Sequence, residues 1–310
     1  GTGEASTGYQ VYLVTVAAGT TEPVYTVVYD GAGSEATSVE LTSLDSGSLY
    51  TYVLSSLSAA GESDKSDAMS ASTAPGVATG LSSTVQTTGS IALAWTAPTI
   101  PSGAAVTGYK VYARVVHSQS SVSDVFAEAG VGADVVEHFL DPEDQSMVLD
   151  TLVYDGRNDV TTATDPSTEL NDLQGGSLYT YLVGVLSDAG ESDRSASLAV
   201  STAAPAPTGL VSVSQTTTGM ELSWTAPEVT SGEAVTGYKV YRDDGAGGAV
   251  DVVAYDSREN SGDFVSTSCS VSGLTGGLTY TYEVSALSLA GESDRSSSMT
   301  SPTSPLQVSG

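Results

Sequence analysis

Gly237-Tyr238-Lys239-Val240-Tyr241 decides the reading of this chain, because the run stands twice more, as Gly8-Tyr9-Gln10-Val11-Tyr12 and as Gly108-Tyr109-Lys110-Val111-Tyr112. Two further motifs follow each copy in the same order. Tyr50-Thr51-Tyr52 returns as Tyr179-Thr180-Tyr181 and Tyr280-Thr281-Tyr282, and Ala60-Gly61-Glu62-Ser63-Asp64 returns from Ala189 to Asp193 and from Ala290 to Asp294. Gly8 and Gly108 lie 100 residues apart and Gly190 and Gly291 lie 101 apart, whereas 129 separate Gly61 from Gly190. The unit is thus about 100 residues, with extra residues in the middle copy. Solenoid repeats, with periods of about 20–50 residues, are excluded, and each unit is long enough for its own core.

Within a unit the periodicity is that of strands. Ile91-Ala92-Leu93-Ala94-Trp95 and Met220-Glu221-Leu222-Ser223-Trp224 alternate with period two. Tyr109, Val111 and Ala113 fall on one face of the following strand and Lys110 and Tyr112 on the other. Turn residues such as Thr96-Ala97-Pro98 and Thr225-Ala226-Pro227 separate the runs. Short strands at this spacing predict an all-β chain of antiparallel sandwiches.

Of 310 residues, 40% are hydrophobic, and 16 Tyr against 3 Phe and 2 Trp favour strands over helices. Lys and Arg total 9 against 37 Asp and Glu, a net charge of -28. Nucleic acid and anionic membrane surfaces both require basic patches, so neither is an expected partner. The single cysteine, Cys269, excludes an internal disulfide, and no apolar run reaches the ~20 residues of a membrane span. Gly1-Thr2-Gly3-Glu4 has neither the basic end nor the apolar stretch of a signal peptide.

These motifs resemble the fibronectin type III domain along nearly the whole chain. Trp95 and Trp224 match the tryptophan of strand B, and the Gly-Tyr-x-Val-Tyr runs resemble strand C. A leucine stands six residues before Tyr50, Tyr179 and Tyr280, as at the E–F corner of such sandwiches, where a tyrosine hydroxyl bonds back to upstream backbone. The Ala-Gly-Glu-Ser-Asp copies resemble the F–G loop. The resemblance implies immunoglobulin-like sandwiches without a catalytic cleft. It divides the chain into an incomplete module at 1–74 (strands C to G), a module with an insertion at 75–203, a third at 204–303, and residues 304–310 as the start of a further module or a donor strand. Two explanations stand for the absence of strands A and B from the first module: a segment of a longer array, or completion by a strand from a neighbouring subunit.

The extra residues of the middle module lie at about 117–147. Asp134 followed by Glu137 reads as a helix N-cap signature, after which Val135, Val136, Phe139 and Leu140 fall at helical spacing. The segment is therefore expected to form a small, partly helical cap. Its apolar residues, with Val125 and Phe126, are candidates for an interface, as are Leu306 and Val308 near the other end.

His117 and His138 sit in the same segment, but no Gly-x-Ser-x-Gly elbow or oxyanion loop accompanies them, so the chain is not read as an enzyme. Asp134, Glu137, Asp141, Glu143 and Asp144 form an acidic cluster whose hard oxygens could hold calcium, though without EF-hand spacing; a solvated acidic turn is the plainer reading. No other cofactor is implied. Each Gly-Glu-Ser-Asp loop places two carboxylates beside Lys65, Arg194 or Arg295, either as local turn chemistry or as contacts between modules. Cys269 alternates with Val265, Thr267 and Val271 on a strand, as a small buried hydrophobe.

The expected role is an extracellular, non-catalytic structural one: a tandem array forming a stalk, sheath, filament or adhesive layer, with itself or other extracellular proteins as partners. Two other roles fit the same array, a recognition ectodomain and a spacer within a secreted polysaccharide-active enzyme. Shared fold alone does not choose among them.

Overall fold

The computed structural model describes residues 5–117, 137–140, 147–158, 165–259 and 264–305. Every strand pairing in it is antiparallel. Apart from two single 3-10 turns, Gly156–Asn158 and Ser257–Glu259, the described residues are strands, turns and loops.

The third module shows the plan in full. Strands β15 (Thr208–Gln215), β16 (Gly219–Thr225) and β19 (Ser268–Ser272) form one sheet in the order β15-β16-β19. Facing it is a sheet of β18 (Val252–Asp256), β17 (Gly237–Arg242), β20 (Thr279–Ser288) and β21 (Gly291–Glu292), with β22 (Met299–Pro302) also on β20. Alternation decides what is buried. Met220, Leu222 and Trp224 enter the core from β16 and meet Tyr238 and Val240 of β17 and Tyr282, Val284 and Ala286 of β20. Trp224 and Tyr238 pack edge-to-face with ring centroids 5.2 Å apart, the orientation that ring quadrupoles favour.

The middle module repeats this. Strands β6 (Thr79–Gln86), β7 (Ile91–Thr96) and β11 (Ser167–Leu170) face a sheet of β13 (Gly190–Glu191), β12 (Leu178–Ser187), β8 (Val106–His117), β10 (Met147–Asp155) and β9 (Glu137–Leu140), with β14 (Leu198–Ser201) on β12. Ile91, Leu93 and Trp95 are buried against Tyr109, Val111, Tyr181, Val183 and Val185, and Trp95 meets Tyr109 at 5.1 Å. Between Thr79 and Ser82, and between Thr208 and Val211, the first ladder of each module slips register. Gly80 (φ 62) and Gly209 (φ 63) sit in these bulges, where a left-handed backbone excludes most other residues.

The helical expectation for the middle insertion fails at its C-terminal part. Glu137–Leu140 is strand β9, paired with Met147 to Asp150 of β10. The near end of β10 offers an open ladder a few residues further along the chain, and its backbone bonds outweigh a spacing of Phe139 and Leu140 that suits either structure. Asp134, Val135 and Val136 lie outside the described residues.

The first module has one sheet among its described residues: β2 (Pro23–Asp30), β1 (Gly8–Val16), β3 (Leu49–Ser58) and β4 (Gly61–Glu62), with β5 (Met69–Ser72) on β3.

Candidate module–module interface

Antiparallel pairing fixes where each loop lies. In the middle module the start of β8 pairs with the end of β12: Val106 stands opposite Ser187 and Gly108 opposite Leu186. The loop entering β8 and the turn entering β12 therefore occupy opposite ends of the sandwich. At about 3.4 Å per residue, the ten-residue β12 separates those ends by about 34 Å.

The structure joins one module's turn to the next module's loop, twice, with the same atoms. Gly47, just before β3, accepts the N–H groups of Ser102 (3.4 Å) and Gly103 (2.8 Å) on its carbonyl. Gly176, just before β12, accepts those of Thr230 (3.1 Å), Ser231 (3.3 Å) and Gly232 (2.9 Å). A side chain completes each clasp, since the Ser102 hydroxyl accepts the Leu49 N–H at 3.0 Å and the Ser231 hydroxyl that of Leu178 at 3.1 Å.

Glycine is required on both sides, for different reasons. Gly47 (φ 61) and Gly176 (φ 66) hold a left-handed turn. Gly103 and Gly232 have no such φ, but a Cβ there would stand 2.6 Å and 2.7 Å from the carbonyl carbons of Gly47 and Gly176. The segment joining the modules is fixed too. The N–H of Gly47 bonds Ala74 O at 2.7 Å, that of Gly176 bonds Ala203 O at 2.8 Å, and Ala203 and Ala204 are buried. The third module carries the same turn, with Gly277 at φ 79 and its N–H on Ser304 O at 3.2 Å.

The Gly-Glu-Ser-Asp loops divide their labour in a way their spacing does not disclose. Glu191 accepts the Tyr112 hydroxyl (2.7 Å), the Lys110 ammonium (2.9 Å) and Arg194 (2.5 Å), whose guanidinium lies 3.5 Å over the Tyr112 ring. Glu292 likewise accepts Tyr241 (2.5 Å), Lys239 (3.1 Å) and Ser285 (2.7 Å), with Arg295 3.7 Å over Tyr241. Glu62 takes Tyr12 at 2.5 Å and Lys65 at 3.6 Å. Burial alone would raise the Glu292 carboxyl; the bonds from Ser285, Tyr241 and Lys239 outweigh it and hold that carboxyl below its ordinary value.

Asp193 and Asp294 instead use their backbone carbonyls, which accept the Ser192 and Ser293 hydroxyls at 2.7 Å. Those hydroxyls in turn accept buried strand amides, Val185 N–H at 3.0 Å and Ala286 N–H at 2.9 Å. Ser195 and Ser296 do the same for Val183 (2.9 Å) and Val284 (3.1 Å). Serine hydroxyls thus stand in for a strand along this edge. The signal was in the sequence as a second serine three residues after the first, at Ser63 and Ser66, Ser192 and Ser195, and Ser293 and Ser296. One loop also reaches across a junction, where Asp294 N–H bonds the Thr88 hydroxyl of the middle module at 3.1 Å.

At the three corners the hydroxyls of Tyr50, Tyr179 and Tyr280 accept the N–H groups of Asp45 (2.8 Å), Gln174 (2.9 Å) and Thr275 (3.0 Å). Cys269 is buried on β19, and burial pushes its thiol up to about 12. Val125, Phe126, Val135, Val136, Leu306 and Val308, and the acidic residues Asp134, Asp141, Glu143 and Asp144, lie outside the described residues. Glu137, Phe139 and Leu140 are placed on β9 by their backbone alone. Among the described residues no group of three or more His, Cys, Asp or Glu could hold a metal, and no helix is long and apolar enough to cross a membrane.

Residues 205–302 match the sequence model of the Fibronectin type III domain. Chitinase A1 of Niallia circulans is 34% identical over 149 residues, 45% of this chain, and the match covers 19% of that protein's length. Among solved structures, a two-domain fibronectin type III segment of chicken tenascin is 17% identical over 73% of this chain and 99% of its own, with a TM-score of 0.33. The FN1–FN3 domains of chicken CNTN1 are 13% identical over 96% of this chain and 91% of theirs, with a TM-score of 0.37.

Proposed function

We propose that this chain, which carries a fibronectin type III domain at 205–302 and repeats that domain's strand order upstream, is an extracellular structural array whose task is to hold a fixed spacing. The matched domain is a non-catalytic module. The observation that carries the reading is the repeated clasp, Gly47 on Ser102-Gly103 and Gly176 on Ser231-Gly232. A binding surface needs one site; a spacer needs the same joint at every step. With opposite ends of each sandwich used, every module adds about 34 Å in one direction. Stalks, sheaths and filaments are the assemblies such a rod serves, with further copies or other extracellular proteins as partners.

The net charge of -28 sets a condition on side-by-side assembly. Copies repel across a Debye length of about 10 Å at 0.1 M salt, so lateral association should appear only as salt rises. Electron microscopy and sedimentation across a salt series test this. Rods that associate as salt rises support the reading; compact particles at every salt concentration count against it.

The match to Chitinase A1 favours a second reading, an array acting as a spacer in a polysaccharide-active enzyme. Sequencing the full reading frame separates the two, because that reading needs a hydrolase domain on the same polypeptide.

A further inference from the structure

Two of the three modules carry a hairpin that runs past the rest of its sheet. In the middle module β8 pairs with β12 only as far as Ala113, but with β10 as far as His117. In the first, β1 pairs with β3 only as far as Leu13, but with β2 as far as Val16. In the third, β17 pairs with β20 to its last residue, Arg242, and nothing protrudes.

The two protruding hairpins differ at their outer edge. In the middle module β9 lies along it, pairing with Met147 to Asp150, which stand opposite His117 to Arg114. Tyr12 and Val27 face each other as Tyr112 and Leu152 do, so Pro23, Val24 and Tyr25 hold the places of Val148, Leu149 and Asp150. Among the described residues no strand but β1 pairs with β2. This edge lies across β1 from β3, away from Leu54, which is 42% exposed on the open inner face.

The edge is chemically suited to receive a strand. Every residue of β2 but Tyr29 is exposed, and none from Pro23 to Tyr29 is charged. Soluble proteins blunt such edges with charges, prolines or bulges. Here Pro23 stands at one end and a register slip brings an extra Val28 near the other, while Val24-Tyr25-Thr26-Val27 between them carries no such device. Where the middle module pairs Arg114 with Asp150, this hairpin sets Val14 opposite Tyr25. An uncharged, β-branched and aromatic run on an unpaired edge is the type that pairs with its own kind.

We propose that β2 pairs antiparallel with β2 of a second copy, extending the sheet across a two-fold axis. A register centred on Tyr25 sets that ring opposite its counterpart and Val24 opposite Thr26. It places Glu22 opposite Val28 and Asp30 opposite Thr20, so no like charges meet on the strand. Lys65, 5.3 Å from the Tyr25 ring, is already paired with Glu62 at 3.6 Å. The net charge of -28 opposes the approach, so the pair forms as salt rises. This contact deepens the array reading by naming its lateral surface. Its test leaves the clasps at Gly47 and Gly176 untouched, so clasp and edge can fail separately.

Sedimentation of the full chain over a protein-concentration series, at low and at high salt, tests the pairing. The parent should be a monomer at low salt and form a dimer at high salt as concentration rises. Amide exchange within Val24 to Val27 should then slow by at least tenfold. Tyr25→Lys, which charges the centre of the edge, should stay monomeric with exchange there independent of concentration. Val213→Lys makes the same charge change on exposed β15 and should still dimerise. A parent that is monomeric in every condition overturns the proposal, as does a dimer that survives Tyr25→Lys. Equal loss of the dimer in both variants would assign the effect to net charge and overturn it too. So would a monomer whose Val24 to Val27 amides are protected at every dilution, since a strand of the same chain would then be the occupant.

Discussion

Replacing Gly232 by alanine tests the clasp without touching the folding of either module. Gly232 has no left-handed φ, so alanine suits its backbone. The added Cβ would nevertheless lie 2.7 Å from the carbonyl carbon of Gly176, 2.9 Å from its oxygen and 2.9 Å from the Ser177 nitrogen. Non-bonded carbon atoms rest at about 3.5–4.0 Å, so loop and turn must part by roughly 0.8 Å or more. That displacement stretches the bonds from Thr230, Ser231 and Gly232, now 3.1, 3.3 and 2.9 Å, past useful length. At about 0.5–1.5 kcal/mol net for each of the two better bonds, the junction should lose about 1–3 kcal/mol. Amide exchange at Leu178 and Gly232 should then accelerate by about 5–150-fold, while the cooperative unfolding of each sandwich keeps its midpoint. Gly89→Ala is the control, because its Cβ would meet nothing nearer than Leu173 O at 3.9 Å. If Gly232→Ala leaves exchange at both amides as slow as in the parent, the clasp does not hold the modules and the reasoning is wrong.

Three other outcomes follow from the cores and edges. Trp224→Ala should cost about 3–5 kcal/mol in urea unfolding of the third module, and Leu54→Ala, on the open face, well under half of that. Ser192→Ala with Ser195→Ala orphans the buried amides of Val185 and Val183, and should cost about 1–3 kcal/mol for each amide in the same assay. The carboxyls of Asp155 and Asp256 are held low by hydrogen bonds from Arg157 and Arg258, and that of Glu292 by the bonds described above. Their contribution is present above the ordinary carboxylate range of about 4 and is lost as pH falls through the lowered values. Calorimetry should therefore give a steady Tm from neutral pH down to about 5 and a falling one below about 4.

What the sequence disclosed and what it hid divide by distance along the chain. Strand-period alternation at Ile91-Ala92-Leu93-Ala94-Trp95 is local, and it translated directly into a buried stripe. The Tyr–Leu spacing at the corners is local too. The clasp between Gly176 and Ser231-Gly232 joins residues more than fifty positions apart, and nothing periodic marks it. Its one mark in the sequence is the recurrence of Ser-Gly at 102–103 and 231–232. The serine pairs act on strand amides seven and twelve positions back in the chain, a separation that no local pattern marks, and the Asp side chains beside Ser192 and Ser293 take no part in those bonds. In the middle insertion, a spacing compatible with a helix lost to the unfilled ladder of β10.

Small-angle X-ray scattering of the purified chain tests the spacing claim most directly. Two sandwiches and the single-sheet first module joined end to end, at about 34 Å each, predict a maximum dimension near 100 Å in low salt, where copies repel, and a distribution broadened by Gly232→Ala. A parent chain whose distance distribution is already broad, or whose maximum dimension is far below that value, would contradict a fixed-spacing array.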